Sequence, residues 1–340
     1  MKPNIFNIAT KELSQDAFIT WLLQWGSKEN AVFDKELQKC GAEFAAKLIK
    51  KQFKDFNENI TKINADRQWE DIDVWAEVND KYFIIIEDKI NTTQHSDQLN
   101  KYKKVSKKWC KENNYELVCI YLKTGNESLK SLNSVTKKGY SIFNRQEFID
   151  LLDMYKPDNN IFNDFKERLI ALESTFNEWD KKIIKDWNGN DWQGFFQYLE
   201  KNIDIIDWMF VNNQSGGFWN AVINWDYYDI YPLYLQTEQY KLCFKISTDP
   251  EELDLPKGVT RSGIRNKICE YILSNAEKNG YSEIVRPYPF GTGKYMTVAV
   301  VNAENWLGDT EKIIQKENVI GNINKYLKFL RKIIKGKTST

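Results

Sequence analysis

The 340-residue chain is long enough for two domains of ordinary size, and its 42% hydrophobic content excludes general disorder. Its 48 basic and 48 acidic residues cancel, which excludes a global attraction to nucleic acid and leaves any such binding to a local surface. Five scattered cysteines without a Cys-x-x-Cys pair indicate neither a zinc site nor a disulfide framework.

Those cysteines suit a reducing cytoplasm. No apolar stretch approaches the roughly 18 residues of a membrane span, and the N-terminus lacks the basic-then-apolar pattern of a secretion signal, so a cytoplasmic location without membrane association is the expectation. The first predicted element is an amphipathic helix opening at Glu12, with Leu13, Phe18, Trp21, Leu22 and Leu23 as its buried stripe. Glu12 and Asp16 stand near its start, where either could simply favour the positive end of the helix dipole.

A strand pair follows. Asp73, Trp75 and Glu77 share one face of the first strand, and Glu87 and Lys89 share one face of the second. A two-residue turn at Asn79-Asp80 would put Asp73 and Glu87 on opposite faces of the sheet. A three-residue loop, Asn79-Asp80-Lys81, or one bulge sets Asp73 opposite Glu87 and aligns Ile72, Val74, Ala76 and Val78 with Tyr82, Ile84 and Ile86 as one apolar face. The second register satisfies core and chemistry together and is the one predicted. The apolar run 83–86 should be buried on both faces and leaves the core directly into Glu87-Asp88-Lys89, at a strand end where sites on α/β sheets lie.

A helix is predicted from Thr92 or Thr93 to about Cys110, with Gln94, Gln98, Lys101, Tyr102 and Val105 on one side. His95, the one histidine, has no accompanying Ser or Cys motif and reads as a surface group. Lys101, Lys103, Lys104, Lys107 and Lys108 form either a phosphate-contacting surface or a solvated helix face. Further on, 115–123 reads as a buried strand, 140–143 as a short strand, 146–154 as a helix and 161–187 as a long closing helix.

Asp73, Glu87 and Lys89 suit the hydrolysis of a phosphodiester. The reaction needs a hard divalent cation to offset developing charge, and carboxylate oxygens suit Mg²⁺. Lys89 cannot bind a cation, but it can orient water or stabilise the pentavalent phosphorus centre, and burial would act to lower its pKa. Asp73, then Glu87-x-Lys89, then Gln98-Leu99-Asn100-Lys101-Tyr102 closely resembles the PD-(D/E)xK nuclease superfamily.

The resemblance covers about residues 1–187 and implies a restriction-endonuclease-like α/β fold, a mixed central sheet flanked by helices. It also implies a metal-dependent nuclease, acting on DNA more plausibly than RNA, in defence or DNA processing. Its cofactor would be Mg²⁺, with Mn²⁺ as a possible substitute. It assigns Asp73, Glu87, Lys89 and Gln98 to catalysis, with Tyr102 beside them and Arg67 and Asp71 as neighbours. The metal would be held by Asp73 and Glu87, by the main-chain carbonyl of Asp88, and by an acid of the first helix, Glu12 or its competitor Asp16. A noncatalytic nucleic-acid or protein-binding module on the same fold is the competing class.

The turn residues of 186–191 place a domain boundary at 188/189. Beyond it, helices at 193–210, 260–279 and 309–335 and strands at 218–228, 231–239, 240–248, 283–289 and 294–301 predict a smaller α+β domain. Gly291-Thr292-Gly293-Lys294 is no phosphate loop, because Tyr288 and Tyr295 stand where a Walker A motif needs Gly and Ser or Thr. The aromatic wealth of this half, including Trp219, Trp225, Tyr227 and Tyr228, either fills a core or stacks on unpaired bases. The domain's expected work is substrate recognition or binding of a protein partner, a second copy included.

Overall fold

The computed structural model describes residues 2–93, 97–213 and 216–338. It divides into two compact units, 1–176 and 177–340. The first opens with α1 (Glu12–Trp25) and α2 (Lys35–Lys50). Asp34 caps α2 by accepting from the backbone N–H groups of Glu36 and Leu37 at 2.9 and 3.0 Å. The two helices pack backbone to backbone: a Cβ on Gly41 would lie 2.2 Å from the Leu22 carbonyl oxygen, so only glycine permits the approach. That packing fixes the helix carrying Glu12 and Asp16.

Next come β1 (Ile63–Trp69), β2 (Ile72–Val78), β3 (Tyr82–Lys89), α3 (Gln98–Asn113), β4 (Glu116–Lys123), α4 (Leu129–Lys137), β5 (Ser141–Asn144), α5 (Arg145–Asp153) and α6 (Asn160–Asn177). The sheet runs β1-β2-β3-β4-β5. Its first three strands form an antiparallel meander, while β3, β4 and β5 are parallel, joined through α3 and α4 as parallel pairing requires. Ile84, Ile86, Val118 and Ile120 bury one face against Phe18, Leu22 and Phe44; Phe83, Ile85, Cys119 and Tyr121 bury the other with Leu99 and Tyr102. This is the predicted mixed sheet between helical layers.

Several boundaries move. Leu13 is exposed and not part of the α1 stripe, because Gln15 and Asp16 occupy the inward face instead. α3 starts at Gln98 and not at Thr92 or Thr93, the Thr92 hydroxyl being used elsewhere. Gln94 and His95 lie outside the described residues. β1 is not among the predicted elements: it is an edge strand in which only Ile63 and Ala65 are fully buried, too weak a pattern to read. The helix predicted for 161–187 ends at Asn177. Phe176, Trp179, Ile183 and Trp187 keep helical spacing, but Trp179 and Trp187 turn into another core, with ring centroids 5.5 Å from Phe195 and 4.9 Å from Trp192.

That core belongs to the second unit: α7 (Gly189–Asn202), β6 (Asp207–Val211), β7 (Phe218–Val222), β8 (Asp226–Tyr228), β9 (Tyr231–Glu238), β10 (Lys241–Ser247), α8 (Arg261–Lys278), β11 (Tyr295–Val301), α9 (Ala303–Trp306) and α10 (Lys316–Thr338). The strands form one antiparallel sheet in the order β11-β10-β9-β7-β6, with β8 also on β9. The helix predicted to 210 stops at Asn202 and its last part is β6, an edge strand whose Met209 and Phe210 stay exposed. The segment read as one strand at 218–228 is two; that at 283–289 makes one bridge, Val285 to Val300, since its prolines at 287 and 289 lack the N–H a ladder needs. The last helix starts at Lys316 and not 309. Among the described residues no helix is long and apolar enough to cross a membrane.

Candidate active site

The β2–β3 hairpin decides whether the acidic groups can meet. Val78 pairs with Tyr82 and Val74 with Ile86, leaving Asn79-Asp80-Lys81 as the loop. Asn79 and Asp80 adopt left-handed backbone, φ 53° and 50°, which these side chains tolerate better than most. One step further along this register Asp73 faces Glu87. The Asp88 N–H donates to Asp73 Oδ2 at 2.9 Å, and Lys89 Nζ lies 3.5 Å from the same oxygen and 2.6 Å from Glu87 Oε1. Asp73, Glu87 and Lys89 therefore meet on one face, at the carboxyl end of β3.

Their environments differ. Side-chain exposure is 26% for Asp73, 8% for Lys89 and 1% for Glu87, so Asp73 is the group that meets solvent. Burial, then the charge of Asp73, pushes Glu87 up to about 7, against the attraction of Lys89. For Lys89, burial acts downward as the sequence suggested, but Glu87 and Asp73 together outweigh it, and the ammonium is held above its usual range. As the residues stand, Lys89 is a fixed cation and not a base.

Two oxygens of Glu87 are buried without a hydrogen bond of proper geometry, the Lys89 ammonium at Oε1 being an ion-pair partner. Buried polar atoms are seldom left so, and an ion is one standard explanation. Among the described residues no three acidic, imidazole or thiol groups already form a cage. A Mg²⁺ ion does not need one: it keeps several waters and is commonly held by one or two carboxylates plus substrate phosphate. The pair Asp73–Glu87, two carboxylates drawn together beside one ammonium, fits that requirement.

The other expected ligands are placed more specifically. Glu12 Oε1 accepts from the Ile90 N–H at 2.9 Å and the Thr92 hydroxyl at 2.8 Å, which brings the start of α1 to the turn just after Lys89. The Asp88 carbonyl accepts from Lys89 Nζ at 2.9 Å. By strand parity the Asp88 side chain points to the opposite face, where its Oδ1 accepts from Gln15 Nε2 at 2.6 Å. Asp16 packs there too. Burial, then the charge of Asp73, pushes Asp16 up to about 7, and burial followed by Asp16 holds Asp88 well above the usual carboxylate range. The Asp16 and Asp88 carboxyls lie within hydrogen-bonding reach of each other, a contact that needs a proton between them. Thus Glu12 has spent one oxygen on the backbone, and its competitor Asp16 is engaged with Asp88.

Gln98 donates to the Tyr102 hydroxyl at 2.7 Å and not to a member of the triplet; the charges of Glu87 and Asp73 nonetheless act on Tyr102. Arg67 donates to the Leu13 carbonyl, and Asp71 pairs with Lys101 at 2.8 Å, at the exposed edge.

Sequence reasoning missed Lys123. In the parallel β3–β4 register Lys123 stands beside Lys89, and Tyr121 beside Glu87. The Lys123 side chain is 3% exposed, with Nζ 2.6 Å from the Thr92 carbonyl and 3.2 Å from Glu127, whose carboxylate also accepts from Tyr121 and Ser131. The signal was a second lysine ending an apolar strand, but only the pairing shows that it belongs here. Lys123→Met should destabilise by about 3–5 kcal/mol, because Glu127 is left buried without its cation, and Lys123→Met/Glu127→Leu should recover much of that loss. Chemical denaturation of both checks it; equal losses would reject the pair.

A mixed sheet between helical layers, with two carboxylates and a lysine converging at the ends of adjacent strands, defines a restriction-endonuclease-like fold. The model of the PD-(D/E)XK nuclease superfamily matches residues 3–200, more than half of the chain, and the chain belongs to that superfamily. No curated protein and no solved structure matches it.

Proposed function

We propose that the chain is a divalent-metal-dependent nuclease that hydrolyses phosphodiester bonds, with DNA as its substrate. The observation supporting this most directly is Glu87: a buried carboxylate drawn against the Asp73 carboxylate, with Lys89 2.6 Å away. Asp73 and Glu87 would hold Mg²⁺, or Mn²⁺ in its place, and the cation would neutralise phosphate charge and lower the pKa of a bound water. Glu12 or Asp16 supplies the acid from the first helix. The Asp88 N–H orients Asp73. Lys89, kept protonated by its neighbours, stabilises negative charge growing on the phosphoryl oxygens. Gln98, linked to Tyr102, orients water or phosphate from α3. Two adjacent carboxylates repel phosphate unless a cation lies between them, which disfavours a purely noncatalytic binder.

The test is cleavage of single- and double-stranded DNA and RNA with Mg²⁺, with Mn²⁺ and with EDTA. Cleavage of DNA that stops in EDTA is expected. No cleavage of any substrate, or undiminished cleavage in EDTA, overturns the proposal, and cleavage of RNA alone overturns the choice of DNA.

We assign chemistry to the first unit and substrate recognition to the second. The compact units divide earlier than the 188/189 boundary read from turn residues, so a fragment should end at Phe176 and not carry Trp179, Ile184 and Trp187 stripped of their core. Residues 1–176, where folded by circular dichroism, should keep weak metal-dependent cleavage with a raised KM. A folded fragment that binds metal but cannot cleave at any substrate concentration would show that the second unit contributes to the active site.

A further inference from the structure

The last residue of β4 and the two that follow it grip the turn that follows Lys89. Thr124 donates its N–H to the Lys89 carbonyl at 3.1 Å, and Lys123 Nζ donates to the Thr92 carbonyl at 2.6 Å. Gly125 lies so close to the Ile90 peptide that a Cβ there would stand 1.8 Å from the Ile90 carbonyl oxygen, which leaves room for glycine alone. Residues 89, 90 and 92 are therefore held by a main-chain bond, by close packing and by a buried cation.

The same turn holds Glu12. The Ile90 N–H and the Thr92 hydroxyl both reach its Oε1, from 78 and 80 residues away, so the place of this carboxylate depends on the turn. Both bonds fall on one oxygen, and no further hydrogen bond to Glu12 is made among the described residues. Burial acts most strongly on Lys89 and on Lys123, and the charge of Glu12 reaches both. The carboxylate thus lies within electrostatic range of Lys89, while Lys123 fixes the turn that carries it. Asp16 is engaged with Asp88 instead.

The place of Lys123 is itself over-determined. It stands beside Lys89 in the parallel register, Glu127 lies 3.2 Å from its Nζ, and the hydroxyls of Tyr121 and Ser131 each take one oxygen of that carboxylate. Exchanging a buried ion pair for apolar side chains is often neutral in stability, so stability alone does not account for this one. The bond that Lys123 makes outside the pair goes to the turn that holds Glu12. We infer that Lys123 is a positioning residue for the metal site: through the Thr92 carbonyl it sets the turn that holds Glu12, and makes Glu12, not Asp16, the acid that the first helix gives to the cation. That role rests on the metal site of the nuclease reading and adds to it a lysine that touches neither cation nor substrate.

The experiment titrates Mg²⁺ into the full chain and reads affinity from the rise in unfolding temperature, with cleavage of DNA at graded Mg²⁺ measured beside it. Lys123→Met/Glu127→Leu removes the cation and its partner together, so that no buried charge is left over while the bond to Thr92 is gone. It should weaken Mg²⁺ binding by about 10–100-fold, the usual cost of losing a group that orients a metal ligand. The Mg²⁺ needed for half-maximal cleavage should rise by the same factor, with the KM for DNA unchanged. Thr92→Val, at an exposed position, takes the hydroxyl from Glu12 and should cause a smaller loss of the same kind. In a Glu12→Gln background the double variant should cost nothing further, because both changes act through one carboxylate. Losses that multiply in that background overturn the inference, as does a folded double variant with wild-type Mg²⁺ affinity. Loss of affinity in Asp16→Asn with none in Glu12→Gln overturns it as well. Should Tyr121 and Ser131, left without an acceptor, unfold the double variant, Lys123→Met/Glu127→Gln returns one and gives the same reading. A wild-type chain that Mg²⁺ stabilises but that cleaves no substrate rejects the nuclease and leaves the titration to decide on Lys123. Wild-type cleavage with unaltered Mg²⁺ affinity in the variants keeps the nuclease and rejects the role of Lys123, and a wild-type chain that Mg²⁺ does not stabilise rejects the metal site and that role together.

Discussion

Lys89→Met should lower metal-dependent cleavage by about 10²–10³-fold at saturating substrate, the usual cost of removing one positioned electrostatic group from a dry site. The methionine keeps the apolar stem that lies in the sheet, so the fold should survive. Glu87 then loses the cation 2.6 Å from its Oε1 and, already pushed up to about 7 by burial and Asp73, takes up a proton instead. Two effects therefore combine: the phosphoryl oxygens lose a positive charge, and a proposed metal ligand becomes harder to ionise. Raising the pH separates them, because a protonated Glu87 recovers its charge in alkali while the missing ammonium does not return. Partial recovery of cleavage toward higher pH in Lys89→Met is expected, short of the wild-type rate. Asp73→Asn and Glu87→Gln should differ in kind, weakening metal binding as well as rate. Full activity in Lys89→Met would reject the catalytic assignment of the lysine.

The arrangement of the triplet is legible in the sequence because strand parity is unforgiving. Only the register with three residues in the loop puts Asp73 on the face of Glu87 while burying Val74, Ala76, Ile84 and Ile86 together, and the β2–β3 pairing has that register. Local rules fail where the decisive partner is remote in sequence. Thr92 looks like a helix cap, yet its hydroxyl serves Glu12, 80 residues away. Leu13 looks like core, yet the inward face of α1 is given to Gln15 and Asp16, whose partner Asp88 lies on β3. Trp179 and Trp187 continue the apolar period of α6, but period cannot say which of two cores a tryptophan enters. Lys123 is the sharpest case: alone it is one more lysine at a strand end, and only the parallel pairing with Lys89 brings it to the site.

The acids also make stability depend on pH and cation together. Glu87 is raised from 4.5 to about 7, and Asp16 from 3.8 to about 7. A carboxyl whose pKa is higher when folded binds more protons in the native state, so its contribution is complete below the unfolded value and is lost as the pH rises through the folded one. In EDTA the chain should therefore lose stability between about pH 4.5 and pH 7, by on the order of 3 kcal/mol for Glu87 at about 1.4 kcal/mol per pKa unit. Below that window the slope reverses, since Asp249, Asp309 and Glu283 are held under their ordinary values and lose their stabilisation in acid. A divalent cation binds only the ionised pair, so it competes with the protons and its stabilisation should grow with pH. Thermal unfolding with Mg²⁺ and with EDTA should differ little near about pH 5 and by several degrees near about pH 8. Glu87→Gln should remove most of that difference and make the EDTA profile shallower, leaving the slope that Asp16 contributes. Asp16→Asn and Glu12→Gln then identify the acid of the first helix: the one that shares the cation loses the Mg²⁺-dependent gain, while the other keeps it. Equal stabilisation by Mg²⁺ at both pH values, or an EDTA profile without a slope above about pH 5, would remove Glu87 from the metal site and with it the physical basis for the proposed chemistry.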